Sequence, residues 1–288
     1  MKLWQMIIIA ILVIMTIIGC MSEKSEKDPF KKKIIIYRKK VMTIIIVSAL
    51  LLTISSGTVV ISWAYKMDED TSLIESYIND KNIVLYEKEE KIDNVVIKKE
   101  NIKINFDYLK ATNDDTVGWI IMDDTDINYP VVHTTNNKFY LDHSYTKGSN
   151  YNGWVFADYR NILKEDKNLI IYAHNRINGT MFGTLGKALN KNWVLSKKEH
   201  IITFIDENSI YKYQIFSAYV GNVESFYIQT DFEHQDFNQF LNTLSKRSKY
   251  DFGVLLNEND RIVTLSTCSN DNTGRIVVHA KLISITAN

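Results

Sequence analysis

The sequence predicts a mostly β domain that follows an N-terminal membrane segment, and three observations predict this fold class. Eight short runs rich in β-branched and aromatic residues begin at Gly118, Tyr129, Gly153, Asn168, His200, Tyr211, Arg261 and Arg275. Only two stretches between them, from Met181 and from Phe237, have apolar residues at helical spacing. Long apolar segments without a charge precede residue 65. Short strands in this number are typical of a barrel or a sandwich.

Composition limits the functions that the chain can have. With 288 residues, of which 45% are hydrophobic and 24% charged, it is long enough for one globular domain and an appendage. Its two cysteines, Cys20 and Cys268, cannot build a disulfide framework or a cysteine-rich zinc site. The net charge of +0 combines +7 over residues 1–66 with −7 over the rest. An acidic body argues against a nucleic-acid-binding protein, which needs a basic face.

Two apolar segments in the N-terminal region, Leu3–Met21 and Val41–Ala64, are each close to the length that a membrane span requires. The basic cluster between them, Lys31–Lys33 and Arg38–Lys40, is expected to stay in the cytoplasm, which places the chain after Lys66 outside the cell. We therefore expect a hydrophobic segment and basic cytoplasmic loop over 1–40, a transmembrane anchor over 41–64, a helical stalk over 65–104 and a catalytic domain over 105–288. The first segment is a second span, a remnant of an upstream start site or a signal sequence.

Helical spacing supports the remaining expected helices. In the charge-rich stretch after residue 66, the apolar residues Leu73, Ile74, Tyr77 and Ile78 recur at helical intervals and predict the stalk. The stretch MFGTLGKAL at 181 and the stretch from Phe237 are expected to cover the barrel as amphipathic helices. In the second of these, Phe237, Phe240, Leu241 and Leu244 form one apolar stripe.

Cys268 is the candidate nucleophile. It ends the β-rich run RIVTLSTC immediately before a polar, turn-forming segment, so its thiol is expected at the mouth of a loop. Strand alternation places Ser266 on the same face. Arg275 follows seven residues later at the start of the next run, where a hairpin can return its permanently charged guanidinium to the thiol. Cys268 as a buried, unreactive cysteine and Arg275 as a solvated strand end are the alternative interpretations.

Cysteine catalysis of acyl transfer also needs a group that exchanges protons. Of the six histidines, His174 is the best candidate because it ends an apolar strand before a polar loop. His279 is the rival, but it lies about 13 Å along its strand from Arg275 at roughly 3.3 Å per residue. No histidine pair has a metal-ligand spacing with supporting carboxylates, so neither a metal nor a cofactor is expected.

These motifs resemble those of the class B sortases. The resemblance lies in TLSTC ending at Cys268, Arg275 at the start of the next run, and YAHN around His174 followed by GTMFGTL. It extends from NFDYLKATNDDTVGWI at 105 to the C-terminus. One departure is Ala173, where many relatives have glycine, and we expect this change to be tolerated. A second is the additional N-terminal apolar segment.

The resemblance implies a membrane-anchored cysteine transpeptidase of Gram-positive bacteria. The implied fold is a closed, eight-stranded sortase-type β-barrel with an N-terminal helical appendage and additional surface helices. In such enzymes the cysteine attacks a threonyl carbonyl in the C-terminal sorting signal of a secreted protein, and an amine of the peptidoglycan precursor resolves the thioacyl enzyme. By motif position, Cys268 would be the nucleophile, His174 the proton donor and acceptor, and Arg275 the partner of the oxyanion or the substrate carbonyl.

The resemblance also implies a substrate groove, the partners and the location of the enzyme. The groove residues would be Asn137, Leu141, Tyr172, Tyr227, Ile228 and Ser266. The partners would be secreted proteins with sorting signals, the precursor amine and the membrane, without nucleic acid or cofactor, and the catalytic domain would lie outside the cell membrane. Three alternatives remain: a sortase that polymerises pilins, an inactive extracellular binding module and a hydrolytic cysteine peptidase.

Overall fold

The computed structural model describes residues 28–79, 83–92, 95–222, 224–232, 236–268 and 274–287. The chain divides into two units, residues 1–66 and residues 67–288. The predicted apolar segment Leu3–Met21, His234 and the predicted turn over 269–273 lie outside the described residues.

A single long helix, α1, runs from Pro29 to Asn79. Its portion Pro29–Ser62 has a mean hydropathy of 2.5, and none of its most apolar stretch is buried. By length and composition this portion can cross a membrane, and it overlaps the predicted anchor over 41–64 almost completely.

Among the described residues, ten strands and three further α-helices follow α1. The strands are β1 (Ile83–Ile92), β2 (Val95–Ile104), β3 (Thr116–Met122), β4 (Asn128–Val132), β5 (Phe156–Ala157), β6 (Asn168–Tyr172), β7 (Ile201–Ile205), β8 (Ser209–Gly221), β9 (Ile262–Cys268) and β10 (Arg275–Ala287). The helices are α2 (Phe106–Thr112), α3 (Lys191–Val194) and α4 (Phe237–Arg247), with 3₁₀ turns at Phe139–Leu141, Leu185–Leu189 and Phe226–Ile228.

Strands β3 to β10 close into an eight-stranded barrel in the order β10–β8–β7–β3–β4–β5–β6–β9. Neighbouring strands are antiparallel except for the pairs β4–β5 and β6–β9, which are parallel. Each of the eight runs singled out in the sequence contains one barrel strand, so the predicted mostly β, closed-barrel fold is confirmed.

Strand β9 is buried on both faces, because it packs against the barrel interior on one side and against α4 on the other. Val263 and Leu265 belong to the interior cluster, whereas Ile262 belongs to the cluster beneath α4. The stripe predicted for α4 is confirmed: Phe237, Phe240, Leu241 and Leu244 are all buried in the second cluster. The face of β9 that carries Ser266 is therefore the outer face of the barrel wall, and α4 covers part of this face.

Two expected helices differ from the structure. The predicted stalk over 65–104 is helical only through Asn79, and β1 and β2 within it form an antiparallel pair of strands. The β-branched residues that dominate the ends of these strands favour extended backbone over helix. The stretch at 181 forms only the five-residue 3₁₀ turn Leu185–Leu189. Met181 has a positive φ of 55°, and Gly183 sits in a turn too tight for a Cβ atom, so a regular helix cannot begin there.

Candidate active site

The three residues singled out for chemistry come from the same end of three adjacent strands. Cys268 ends the middle strand, β9, and Arg275 begins β10 on one side of it. On the other side, β6 pairs with β9 in parallel, with Tyr172 opposite Ser266, and His174 follows two residues after Tyr172. Neighbouring strands lie about 4.8 Å apart, so this topology collects His174, Cys268 and Arg275 at one edge of the barrel.

Cys268 and Arg275 are direct partners in the register between β9 and β10. The same Arg275 is also opposite Gly221 at the end of β8. The Arg275 side chain is partly exposed and donates from Nη1 to the carbonyl oxygen of Gly274, 3.1 Å away. A guanidinium carries five N–H donors, so it can also donate to a bound acyl group or its oxyanion.

His174 is partly exposed, and its ring is oriented by a backbone carbonyl. Its Nε2 lies 2.7 Å from the carbonyl oxygen of Leu141. Because a carbonyl oxygen only accepts, Nε2 carries a proton and Nδ1 is the nitrogen left to take up or release one. Gly153, at φ 59°, packs beside this hydrogen bond: a Cβ atom there would lie 2.8 Å from His174 Cδ2 and 2.8 Å from the carbonyl oxygen of Leu141.

One buried carboxylate connects three of the expected groove residues. Asp158, whose side chain is fully buried, accepts hydrogen bonds from Asn137 Nδ2 at 3.0 Å and from the Tyr172 hydroxyl at 2.8 Å. It also pairs with Arg160, which donates in turn to the carbonyl oxygen of Ile228 at 2.9 Å. Burial and the nearby carboxylate raise the pKa of Tyr172 well above its ordinary value, so this hydroxyl keeps its proton.

The other three expected groove residues divide between the surface and the interior. Leu141 exposes 44% of its surface, as a groove residue should. Tyr227 and Ser266 are almost fully buried and lie side by side, with 3.3 Å between their hydroxyl oxygens. Their side chains therefore lie beneath the surface and, contrary to what the resemblance implied, do not line an open groove.

The other histidines in the described part of the chain are engaged elsewhere. The rival candidate His279 is fully buried, and it pairs with Thr264 in the ladder, four residues from the pair of Arg275 with Cys268. Burial lowers the pKa of His279 to about 3, so its imidazole is neutral. His133, His143 and His200 each contact a backbone carbonyl oxygen. Within the described ranges, no group of three His, Cys, Asp or Glu side chains is arranged to hold a metal ion.

Sequence reasoning missed Asp158, Arg160 and Gly153. Asp158 and Arg160 directly follow the apolar run GWVFA, and a carboxylate at the end of a buried strand was the available signal. The contacts of Gly153 are with the carbonyl oxygens of Tyr140 and Leu141 and with the ring of His174, none of which can be inferred from a glycine at the start of a run.

Comparison with known proteins bears on the reaction that such a site performs. Residues 120–283 match the family model described as the sortase domain. Sortase B of Staphylococcus aureus is 35% identical over 235 residues, which are 79% of this chain and 93% of that protein.

Two solved structures of sortase B are similar in both sequence and fold. The Staphylococcus aureus sortase B–substrate complex is 38% identical, with a TM-score of 0.58, over 62% of this chain and 84% of that one. A sortase B complexed with triglycine is also 38% identical, with a TM-score of 0.58, over 62% of this chain and 85% of that one. The family model covers more than half of the chain, and these similarities are to sortase B. The chain therefore belongs to the sortase family of cysteine transpeptidases, and within it to class B.

Proposed function

We propose that this transpeptidase is anchored in the membrane of a Gram-positive bacterium, cleaves the C-terminal sorting signal of secreted proteins after threonine, and transfers them to an amine of the cell-wall precursor. The observation that carries the proposal is the meeting of a cysteine, a histidine and an arginine at one edge of the barrel. A sortase B–substrate complex and a sortase B complexed with triglycine among the similar structures support the two classes of substrate.

In the first half-reaction, the Sγ of Cys268, which has given its proton to Nδ1 of His174, attacks as the thiolate at the threonyl carbonyl carbon of the sorting signal. The C–N bond of the scissile peptide breaks, and the departing amine takes its proton from His174. The carbonyl oxygen becomes negatively charged in the transition state, and the guanidinium of Arg275 stabilises that charge. The product is a thioester between Cys268 and the threonyl group.

In the second half-reaction, an amine nitrogen attacks the thioester carbonyl. It gives a proton to His174 as the new amide bond forms, and the sulfur of Cys268 leaves as the thiolate. The Nε2–H bond to Leu141 supports this role, because it fixes the imidazole tautomer and leaves Nδ1 to exchange the proton.

The membrane part of the proposal rests on α1 and on charge. The portion Pro29–Ser62 is long and apolar enough to cross a bilayer. The cluster of Lys31–Lys33 and Arg38–Lys40 lies at its N-terminal end, and the positive-inside rule favours the cytoplasm for that end. We propose that residues 41–64 are the transmembrane anchor and that residues 105–288 are the catalytic domain, on the outer side of the membrane.

The test follows the acyl group in the full chain, purified in detergent. A pooled library of synthetic peptides, each with a threonine at the cleavage position, is mixed with the protein with and without triglycine. A sortase yields the threonyl-triglycine ligation product, and the yield rises with the triglycine concentration. Release of only the hydrolysed peptide at all amine concentrations would instead show a peptidase, and no cleavage at all would favour an inactive binding module. Replacing triglycine by a lysine-containing pilin-like peptide tests polymerisation.

A further inference from the structure

Three consecutive backbone carbonyls in one wall of the proposed groove are held by side chains from another part of the barrel. Asn168 Nδ2 lies 3.3 Å from the carbonyl oxygen of Tyr227 and 2.9 Å from that of Gln229. Arg160 Nη2 donates to the carbonyl oxygen between them, that of Ile228, at 2.9 Å. Side chains from other segments thus hold the turn Phe226–Ile228 in place. A loop that only connects two elements does not require such contacts.

Arg160 is itself held rigidly by Asp158. Its Nε and Nη2 donate to the two carboxylate oxygens at 2.8 and 2.7 Å, and its backbone N–H donates to Oδ1 at 3.0 Å. A guanidinium in this two-point pairing has a fixed plane, so the second N–H of Nη2, which donates to Ile228, has a fixed direction. Burial raises the pKa of Asp158, but the hydrogen bonds from Arg160 and Tyr172 outweigh it and hold the pKa below its ordinary value. The carboxylate is therefore ionised at neutral pH.

The same carboxylate also holds two other expected groove residues, Asn137 and Tyr172. Asn137 lies beside the 3₁₀ turn Phe139–Leu141, and Tyr172 ends β6; both donate to Asp158 Oδ2. The amide of Asn137 is oriented without ambiguity, because its Oδ1 also accepts from the backbone N–H of Tyr159 at 2.9 Å. Asp158 and Arg160 therefore connect three of the expected groove residues, which lie in separate segments of the chain.

We propose that Asp158 and Arg160 are positioning residues that set the spacing of the substrate groove for the sorting-signal peptide. The inference rests on the proposed function, since it takes Asn137, Tyr172 and Ile228 as groove residues. Neither residue needs to touch the reacting atoms. Loss of the connection lets the turn Phe226–Ile228 move relative to Asn137 and Tyr172, so the peptide binds more weakly, whereas the acyl-transfer steps at Cys268 remain intact.

A second buried carboxylate with a cationic partner, elsewhere in the barrel, provides a control that separates this role from a simple contribution to stability. Asp206 is also buried, accepts from the Tyr211 hydroxyl at 3.0 Å and pairs with Lys164 at 3.2 Å. Tyr211 lies near the start of β8, about 33 Å along that strand from Gly221 at roughly 3.3 Å per residue. Asp206→Asn, like Arg160→Gln, thus breaks a buried carboxylate–cation pair, but at the end of the barrel opposite to Arg275.

The experiment compares Arg160→Gln, Arg160→Lys and Asp206→Asn with the wild-type full chain in detergent. The probes are the one peptide of the threonine library that the wild type ligates best and triglycine. We expect Arg160→Gln to raise KM for the peptide about tenfold, with kcat within twofold and KM for triglycine unchanged. Arg160→Lys, which keeps the charge but loses the two-point pairing, should give an intermediate KM. The rate at which iodoacetamide alkylates Cys268, followed by peptide mass spectrometry, should not change.

The inference is overturned if KM of the folded Arg160→Gln variant stays within twofold of the wild type, or if Asp206→Asn raises KM equally. It is also overturned if kcat and the alkylation rate fall together, because the variant would then distort the catalytic edge. If Arg160→Gln does not fold, the KM of Arg160→Lys decides. A wild type that ligates no library peptide would instead refute the proposed function and this inference with it, so the two failures are distinguishable.

Discussion

The imidazole of His174 donates from Nε2 to the carbonyl oxygen of Leu141, 2.7 Å away. Leu141 ends the 3₁₀ turn Phe139–Leu141, and Gly153 brings the backbone close enough to touch both partners. The orientation of the proposed proton carrier thus depends on a loop of the barrel and on one glycine, as well as on the strand that precedes it.

Gly153→Ala is expected to disturb this arrangement. The new Cβ would lie 2.8 Å from His174 Cδ2 and from the Leu141 carbonyl oxygen, and 2.6 Å from that of Tyr140. We expect ligation activity to fall at least tenfold, because the imidazole must move away from its hydrogen-bond acceptor. Gly253→Ala is the matched control, since Gly253 also has a positive φ but has no atom within 4 Å of the added Cβ. Equal activity losses in the two variants would attribute the effect to backbone strain alone.

Arg275 is expected to contribute mainly to the transition state. Removal of one oxyanion donor typically costs about 10²- to 10³-fold in kcat, so Arg275→Ala should lose roughly that much, and Arg275→Lys, which keeps the charge, should lose less. Lys281→Ala removes a cation about 20 Å further along the same strand, at roughly 3.3 Å per residue, and should retain nearly full activity. Steady-state ligation rates of the three variants measure this contribution. An Arg275→Ala variant as active as Lys281→Ala would show that Arg275 takes no part in the mechanism.

His279 should make the barrel sensitive to acid. Its Nδ1 donates to the Thr264 hydroxyl, which in turn donates to Asn168 Oδ1, and its Nε2 accepts from the Tyr219 hydroxyl. Burial lowers its pKa to about 3, so the folded state binds fewer protons than the unfolded state below the ordinary value near 6.5. This neutral histidine therefore stabilises the fold above pH 6.5, and the free energy of unfolding should fall by about 1.4 kcal/mol per pH unit as the pH decreases toward 3.

Urea denaturation between pH 7 and pH 5 measures this effect. His279→Gln should flatten the decrease, because the glutamine does not bind a proton. Leu244→Ala, which empties a buried site beneath α4 and should cost about 2–5 kcal/mol at every pH, is the control and should keep the wild-type slope. An unchanged slope in His279→Gln would mean that another group causes the acid sensitivity.

The fold was largely predictable from the sequence because its signals are local. β-branched runs predicted all eight barrel strands, and the apolar stripe from Phe237 predicted α4. The seven-residue spacing from Cys268 to Arg275 suggested a hairpin, and the register of β9 with β10 pairs the two residues. The stalk was predicted wrongly beyond Asn79, since mixed charges and apolar residues also occur in a two-stranded hairpin.

The remainder of the site depends on tertiary contacts. A parallel pairing of β6 with β9, two strands far apart in the chain, brings His174 and Cys268 to one edge. Only the family resemblance predicted that these two residues meet. The connection of Asp158 and Arg160 to Ile228 joins segments with no shared periodicity. The buried positions of Tyr227 and Ser266 likewise follow from how the turn Phe226–Ile228 packs on β9, which no local pattern encodes.

The identity of the acylated atom tests the mechanism most directly. The full chain is incubated, without an amine, with the library peptide that it ligates best. The reaction is quenched in acid and the protein is digested, and the modified residue is located by tandem mass spectrometry. The account predicts a threonyl thioester on Cys268 that disappears on addition of triglycine as the ligation product forms, and no adduct or product in Cys268→Ala. Ligation by Cys268→Ala, or an acyl group on any other residue, would contradict it.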